Sequence, residues 1–140
     1  MRIVALSLLA ALAGVTAIGA GTAVAQTLAQ NLAQKKVLTP AETKQKLAQW
    51  RAAFDCTTFH YNRLDRFTRQ GNAQAAEQAE ELWLDWDDLA IEVEEELDQP
   101  LHQEAAQSRA VEEAHQAQLT RLGWPGYEKA WMGKCGKSPY

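Results

Sequence analysis

The sequence lacks the common motifs of redox, haem-binding and nucleotide-binding proteins. It contains no C-x-x-C or C-x-x-C-H motif, no glycine-rich phosphate loop and no internal repeat. After the first 25 residues it has only two serines, Ser108 and Ser138, and neither has the surroundings of a nucleophile elbow. These absences leave no candidate catalytic residue and no cofactor motif. We therefore expect a protein that is not an enzyme and that holds no cofactor.

Basic charge is scarce as well. The chain has 14 lysines and arginines against 18 aspartates and glutamates, and Arg2 is the only charged residue before position 26. The remaining 13 basic and 18 acidic residues give residues 26–140 a net charge of −5. Nucleic-acid binders carry a basic face, and proteins held to anionic lipid by charge carry basic clusters. The composition predicts neither class.

The one long apolar run lies at the start of the chain. Arg2 precedes an apolar stretch over residues 3–12, and residues 23–25 (Ala-Val-Ala) form a small-x-small cleavage site. This pattern is typical of a secretory signal peptide over residues 1–25. We expect an exported protein, periplasmic or secreted, that does not stay inserted in a membrane after cleavage. Residues 26–38 are rich in Gln and Ala and are predicted to form a flexible arm.

Helix-start and helix-stop residues divide residues 39–140. The segment Thr39–Glu42 has the form of a capping box with proline in the first turn, and Gly71 suits a left-handed stop. Asn72 and Pro100 favour two further starts, and Gly123 a further stop. Since no strand pattern occurs, the predicted fold is an all-α antiparallel three-helix bundle with a short fourth C-terminal helix. The predicted helices span residues 40–70, 72–98, 100–122 and, after a turn, 127–132.

Apolar stripes and charge both predict that the first two helices pair. The first stripe is Leu47, Trp50, Phe54, Thr57, Tyr61, Leu64 and Thr68, and the second is Ala75, Ala79, Leu82, Trp86, Leu89, Val93 and Leu97. The second helix has eleven acids and no base between residues 72 and 99, while the first helix offers six bases. Folding the two about Gly71 predicts four ion pairs, which are Arg66–Glu77, Arg63–Glu80, Arg51–Glu92 and Lys46–Glu96.

The only two cysteines are predicted to form a disulfide. An even number of cysteines in an exported chain most simply indicates bridging, here between Cys56 and Cys135. Cys56 lies opposite the apolar stripe of its helix, so Cys135 has to reach the back of that helix. We expect the aromatic residues of the C-terminal segment to arrive with it, with Trp124, Tyr127 and Trp131 covering Ala53, His60 and Phe67.

The third helix contains an E-x-x-H unit. Glu112 and His115 lie three residues apart, which places a carboxylate and an imidazole on one helical face. One hypothesis is a small-ligand or mononuclear metal site at these two residues, with an acid of the second helix and perhaps His60. A second has both facing solvent while the other side forms a close-packed alanine stripe (Ala106, Ala110, Ala114 and Ala117). A third has His115 paired with Glu112 inside the bundle.

The second helix also presents apolar residues among acids. Leu84 and Ile91 are seven residues apart and lie on the side away from the stripe, near Asp87, Asp88 and Glu95. An apolar pair on an acidic face is typical of a small contact surface. The function that the sequence favours is therefore an exported inhibitor, immunity-type or accessory factor. It would bind a protein partner, basic in charge, or a second copy of the chain through these five residues.

Overall fold

The computed structural model describes residues 37–140, so the predicted signal peptide and residues 26–36 of the predicted arm lie outside the described residues. Within that range three α-helices follow one another, α1 (Pro40–Arg69), α2 (Ala73–Leu97) and α3 (Ala105–Cys135). A 3₁₀ turn (Leu101–Gln103) connects α2 to α3. Residues 37–140 contain no strand, which confirms the all-α class. None of these helices is both long enough and apolar enough to cross a bilayer.

The predicted caps form the hairpin of α1 and α2. Thr39 Oγ1 accepts from the Glu42 backbone N–H at 3.3 Å while the Thr39 N–H donates to the Glu42 carboxylate at 2.8 Å. Gly71 has a φ of +69°, and the Asn72 side chain accepts from the Ala75 N–H at 3.2 Å. The left-handed glycine reverses the chain, so α1 and α2 pair along their lengths.

Pro100 does not begin the third helix, contrary to the prediction. It precedes the 3₁₀ turn, which places Leu101 in the core, and α3 starts only at Ala105. The reason is local hydrogen bonding. The His102 backbone N–H donates to the buried Glu94 carboxylate, and Ser108 Oγ donates to the His102 carbonyl at 2.6 Å. These side-chain contacts replace the bonds of a regular helical turn.

The predicted fourth helix is not present as a separate element. Its residues continue α3 beyond Gly123, whose φ of 63° and ψ of 171° interrupt the helix. The two arms of α3 fold back on each other. The rings of His115 and Trp131 stack with centroids 4.5 Å apart, whereas sixteen residues of a straight helix would separate them by about 24 Å. Trp131 Nε1 also donates to Gln118 across the bend at 3.0 Å.

Two apolar clusters form the core. The first joins α1, α2 and the 3₁₀ turn through Trp50, Ala53, Ala90, Val93, Leu97 and Leu101. The second joins α1 to the end of α3 through Cys56, Phe59, Tyr127, Trp131 and Cys135. The predicted stripes are right at Trp50, Val93 and Leu97, whereas Leu47 and Tyr61 are exposed. The predicted alanine stripe of α3 is wrong, since all four of its alanines are exposed.

Of the four predicted ion pairs only Lys46–Glu96 forms, with Nζ and Oε2 2.6 Å apart. Arg63 pairs with Glu128 of α3 instead, at 3.3 Å. The Arg66 guanidinium lies over the Trp124 ring, 4.6 Å from its centroid. The two arginines that were predicted to pair with acids of α2 thus contact the C-terminal arm of α3 instead. No ion pair within residues 37–140 joins Arg51 to Glu92.

Candidate functional site

The disulfide is confirmed and forms part of a closed polar cluster. Cys56 and Cys135 are bonded with Cα atoms 5.4 Å apart. His60 Nε2 donates to the Cys135 carbonyl at 2.7 Å, and Trp86 Nε1 donates to the same oxygen at 3.3 Å. Arg63 Nη1 donates to His60 Nδ1 at 3.3 Å, so both ring nitrogens are used by a neutral imidazole. Burial lowers the pKa of His60, with Arg63 adding to the effect and the Cys135 carbonyl opposing it.

His115 lies at the centre of a second closed network rather than facing solvent. Asn62 Nδ2 donates to the Tyr127 hydroxyl at 3.0 Å. The hydroxyl therefore donates its own proton to His115 Nδ1 at 2.6 Å. The remaining proton of a neutral imidazole is then on Nε2, which lies 3.4 Å from Asp55 Oδ1. Each of these contacts joins two elements, or the two arms of α3. The network therefore fixes the bend of α3 against α1.

The Tyr127 hydroxyl gives this network a pH dependence that can be measured. Burial raises the pKa of Tyr127 to about 12 from 10.0, with Asn62 opposing the rise. The folded protein keeps this proton between pH 10 and 12 while the unfolded chain releases it. The free energy of unfolding should therefore fall by about 2 kcal/mol over that range through this one group.

Urea unfolding at several pH values tests this prediction. Tyr127→Phe should flatten the decline above pH 10, although it also lowers stability at neutral pH by removing two hydrogen bonds. Tyr61→Phe, at an exposed tyrosine on α1, is the matched control and should keep the slope of the unmodified protein. Equal slopes in all three proteins would contradict the assignment of the shift to Tyr127.

Glu112 and His115 are not brought together by the structure. Glu112 is exposed, and the imidazole of His115 is bonded to Asp55 and Tyr127 rather than to Glu112. The predicted solvent-facing histidine and the predicted Glu112–His115 pair are both corrected by this geometry. Within residues 37–140 no three His, Cys, Asp or Glu side chains are grouped as metal ligands.

Sequence reasoning missed a buried carboxylate. Glu94, in the middle of the acidic run of α2, is buried and accepts from Trp50 Nε1 at 2.6 Å. Its other oxygen lies 2.5 Å from His102 Nδ1. The sequence contained a signal for this contact, because Trp50 lies on the apolar stripe of α1 and a buried indole N–H needs an acceptor. Glu94 is one turn from Ala90 and beside Val93, where it can provide that acceptor.

The predicted contact residues divide between two surfaces. Leu84, Asp88, Ile91 and Glu95 are all exposed and form one stripe, which we name the outer face of α2. Leu84 keeps 48% and Ile91 37% of its surface exposed. Asp87 is not on this face, because it is half-buried on the flank of α2 that meets a groove.

Tyr140 lies beside the outer face of α2. Its hydroxyl lies near Glu92, Asp88 and Asp85. The ring itself is 68% exposed. An aromatic side chain thus lies near Asp88 at the edge of the outer face.

The groove lies between the three helices and has a volume of about 530 Å³. Its walls carry three aromatic rings, two carboxylates and several hydroxyl and amide groups. They are Phe54, Thr57, Thr58, Tyr61 and Asn62 of α1, Trp83 and Asp87 of α2, and Glu112 and Gln116 of α3. Glu112 therefore faces this groove, whereas His115 is not among its lining residues.

No protein-family model, curated protein or solved structure matches this chain. The candidate functional surfaces of the chain are the outer face of α2 and the groove.

Proposed function

We propose that this chain is an exported, non-enzymatic interaction protein that binds a basic protein partner through the outer face of α2. An inhibitor, an immunity-type protein and an accessory factor all belong to this class. The signal-peptide pattern of residues 1–25 supports export, and so does the disulfide, because disulfides persist mainly in oxidising compartments.

The observation that carries the proposal is the uncompensated charge of the outer face of α2. The sequence alone allowed the bases of α1 to neutralise this helix. In the structure Arg63 and Arg66 turn to Glu128 and Trp124 of α3. No lysine or arginine within residues 37–140 lies at ion-pair distance from Asp88 or Glu95. An acidic surface of this kind attracts a basic partner and speeds its association.

The apolar side chains of the same surface favour a protein partner over a small ion. Leu84 and Ile91 are exposed within a turn of Asp88, and Tyr140 lies near the same aspartate. Interfaces commonly combine an apolar centre with charged surroundings, and tyrosine is enriched at their centres. A second copy of the chain fits less well, because a two-fold dimer through this face would bring two acidic surfaces together.

The closed histidine networks support a non-enzymatic role. Both nitrogens of His60 and of His115 are bonded to protein groups, and the Tyr127 hydroxyl is buried between Asn62 and His115. A general base or nucleophile needs access to a substrate atom. These groups instead join α1 to α3.

Charge reversal on the outer face tests the proposal. The mature protein, tagged and returned to its own export compartment, should co-purify with a stoichiometric polypeptide. Asp88→Lys with Glu95→Lys should weaken that complex by about 100-fold or more, since each substitution turns attraction into repulsion. The unmodified complex should also weaken as ionic strength rises.

Glu104→Lys with Glu113→Lys is the matched control, because both glutamates are exposed acids of the α3 region. This variant has the same net charge as the reversed one but leaves the outer face intact, and it should keep the partner. Equal losses in both variants would show a general charge effect and contradict a specific surface. Retention by the Asp88/Glu95 variant would contradict it as well.

A further inference from the structure

We propose that the groove between the three helices binds a small organic cation, held by Asp87 and Glu112 against the rings of Tyr61 and Trp83. This goes beyond the proposed function, because none of the four residues is part of the outer face of α2. The groove volume of about 530 Å³ lies within the range of small-molecule pockets, roughly 300–1,000 Å³.

The charge of the groove selects a positive ligand. Its two carboxylate side chains are Asp87 from α2 and Glu112 from α3, and no lysine, arginine or histidine lines it. Neither carboxylate forms an ion pair with a base of residues 37–140. Since opposite charges attract most strongly where water is partly excluded, a cation between the two acids gains from both.

The environment of Asp87 supports this. Burial raises the pKa of Asp87, with His102 opposing the rise and with Asp88 and Glu94 adding to it. The carboxylate has therefore lost water, and the nearby His102 offsets only part of that loss. A ligand cation would offset the rest.

The aromatic rings select an organic cation rather than a metal ion. Tyr61 and Trp83 lie with centroids 6.3 Å apart at an interplanar angle of 59°, and Phe54 completes the apolar wall. Aromatic faces attract alkylammonium groups and also bury their carbon atoms. The lining has only two carboxylates, and no three His, Cys, Asp or Glu side chains of residues 37–140 are grouped as metal ligands.

The exposure of Tyr61 in the structure fits this role. Tyr61 falls on the predicted apolar stripe of α1, yet it remains exposed while its neighbour Thr58 is buried. Packing of the bundle therefore does not use this ring fully. A ligand in the groove would cover it.

Titration of the 2-phenylethylammonium ion, followed by NMR of the Trp83 indole N–H, tests the proposal. The uncharged comparison probe is 2-phenylethanol, which has a similar shape and no charge. We expect saturable shifts at Trp83 with the cation and affinity about tenfold lower for the alcohol, because the alcohol lacks the charge that the carboxylates and the aromatic faces attract. Glu112→Gln should weaken binding of the cation by a similar factor.

Glu113→Gln is the matched control, since Glu113 is an exposed acid one residue away that does not line the groove. It should bind the cation like the unmodified protein. Asp87→Asn is a second variant, and Glu112→Gln serves alone if Asp87→Asn disturbs folding. Absence of saturable shifts, equal affinity for the two probes, or equal losses in Glu112→Gln and Glu113→Gln would each overturn the proposal.

Discussion

Replacing Cys56 and Cys135 together by alanine should lower the free energy of unfolding by about 4 kcal/mol. The bridge joins residues 79 positions apart, and closing so long a loop removes much of the conformational freedom of the unfolded chain. Domains of this size have only about 5–15 kcal/mol of net stability. The variant should therefore unfold at much lower urea concentration.

Reduction of the unmodified protein is the matched control for this prediction. Reduction breaks the same bond without substituting any residue, so the unfolding midpoint of the reduced protein should approach that of the double alanine variant. The aromatic contacts of Phe59 with Tyr127 and Trp131 remain available in both forms. A loss below about 1 kcal/mol in either protein would show that these contacts hold α3 to α1 without the bridge, contrary to the chain-entropy account.

Glu94→Ala should lower the free energy of unfolding by about 3–5 kcal/mol. The substitution leaves the buried Trp50 indole N–H and the His102 backbone N–H without their acceptor, and each such loss is costly. It also removes the carboxylate partner of the His102 imidazole. The 3₁₀ turn that carries Leu101 into the core should loosen as a consequence.

Glu95→Ala is the matched control, since Glu95 is the next residue and is exposed. It should change stability by no more than about 0.5 kcal/mol. Glu94→Gln keeps one acceptor oxygen and should fall between the two. Urea unfolding of the three variants measures the difference, and equal stability of Glu94→Ala and Glu95→Ala would contradict the role of Glu94.

Local signals in the sequence predicted the α1–α2 hairpin well. The Thr39 capping box, the left-handed Gly71 and the Asn72 cap each depend on residues within one turn, so neighbours in the sequence determine them. The disulfide was also predictable, because a chain with two cysteines has one possible internal pairing.

Predictions that depended on distant partners failed more often. Arg63 and Arg66 had suitable acids on α2, but the C-terminal arm of α3 placed Glu128 and Trp124 closer. Helical periodicity does not reveal which of two neighbouring elements approaches a long side chain. The sequence therefore overestimated how far the charge of α2 is neutralised inside the bundle.

The candidate surfaces were predicted in part. Leu84 and Ile91 followed from their seven-residue spacing opposite the apolar stripe, and the structure shows both exposed. Asp87 was assigned to the same face, yet one residue of helical rotation moves it to the groove. Glu112 and His115 share a spacing but not an environment, because the bend at Gly123 brings Trp131 and Tyr127 over His115.

A native mass spectrum of the protein, recovered from the compartment to which we propose it is exported, tests whether the outer face of α2 binds a partner. We predict the oxidised chain in complex with a second polypeptide, and loss of that complex when Leu84 and Ile91 are both replaced by serine. Leu122→Ser, at an exposed leucine of α3, should keep the complex. A bare chain, or a complex that survives the Leu84/Ile91 substitutions, would contradict the outer face of α2 as the binding surface.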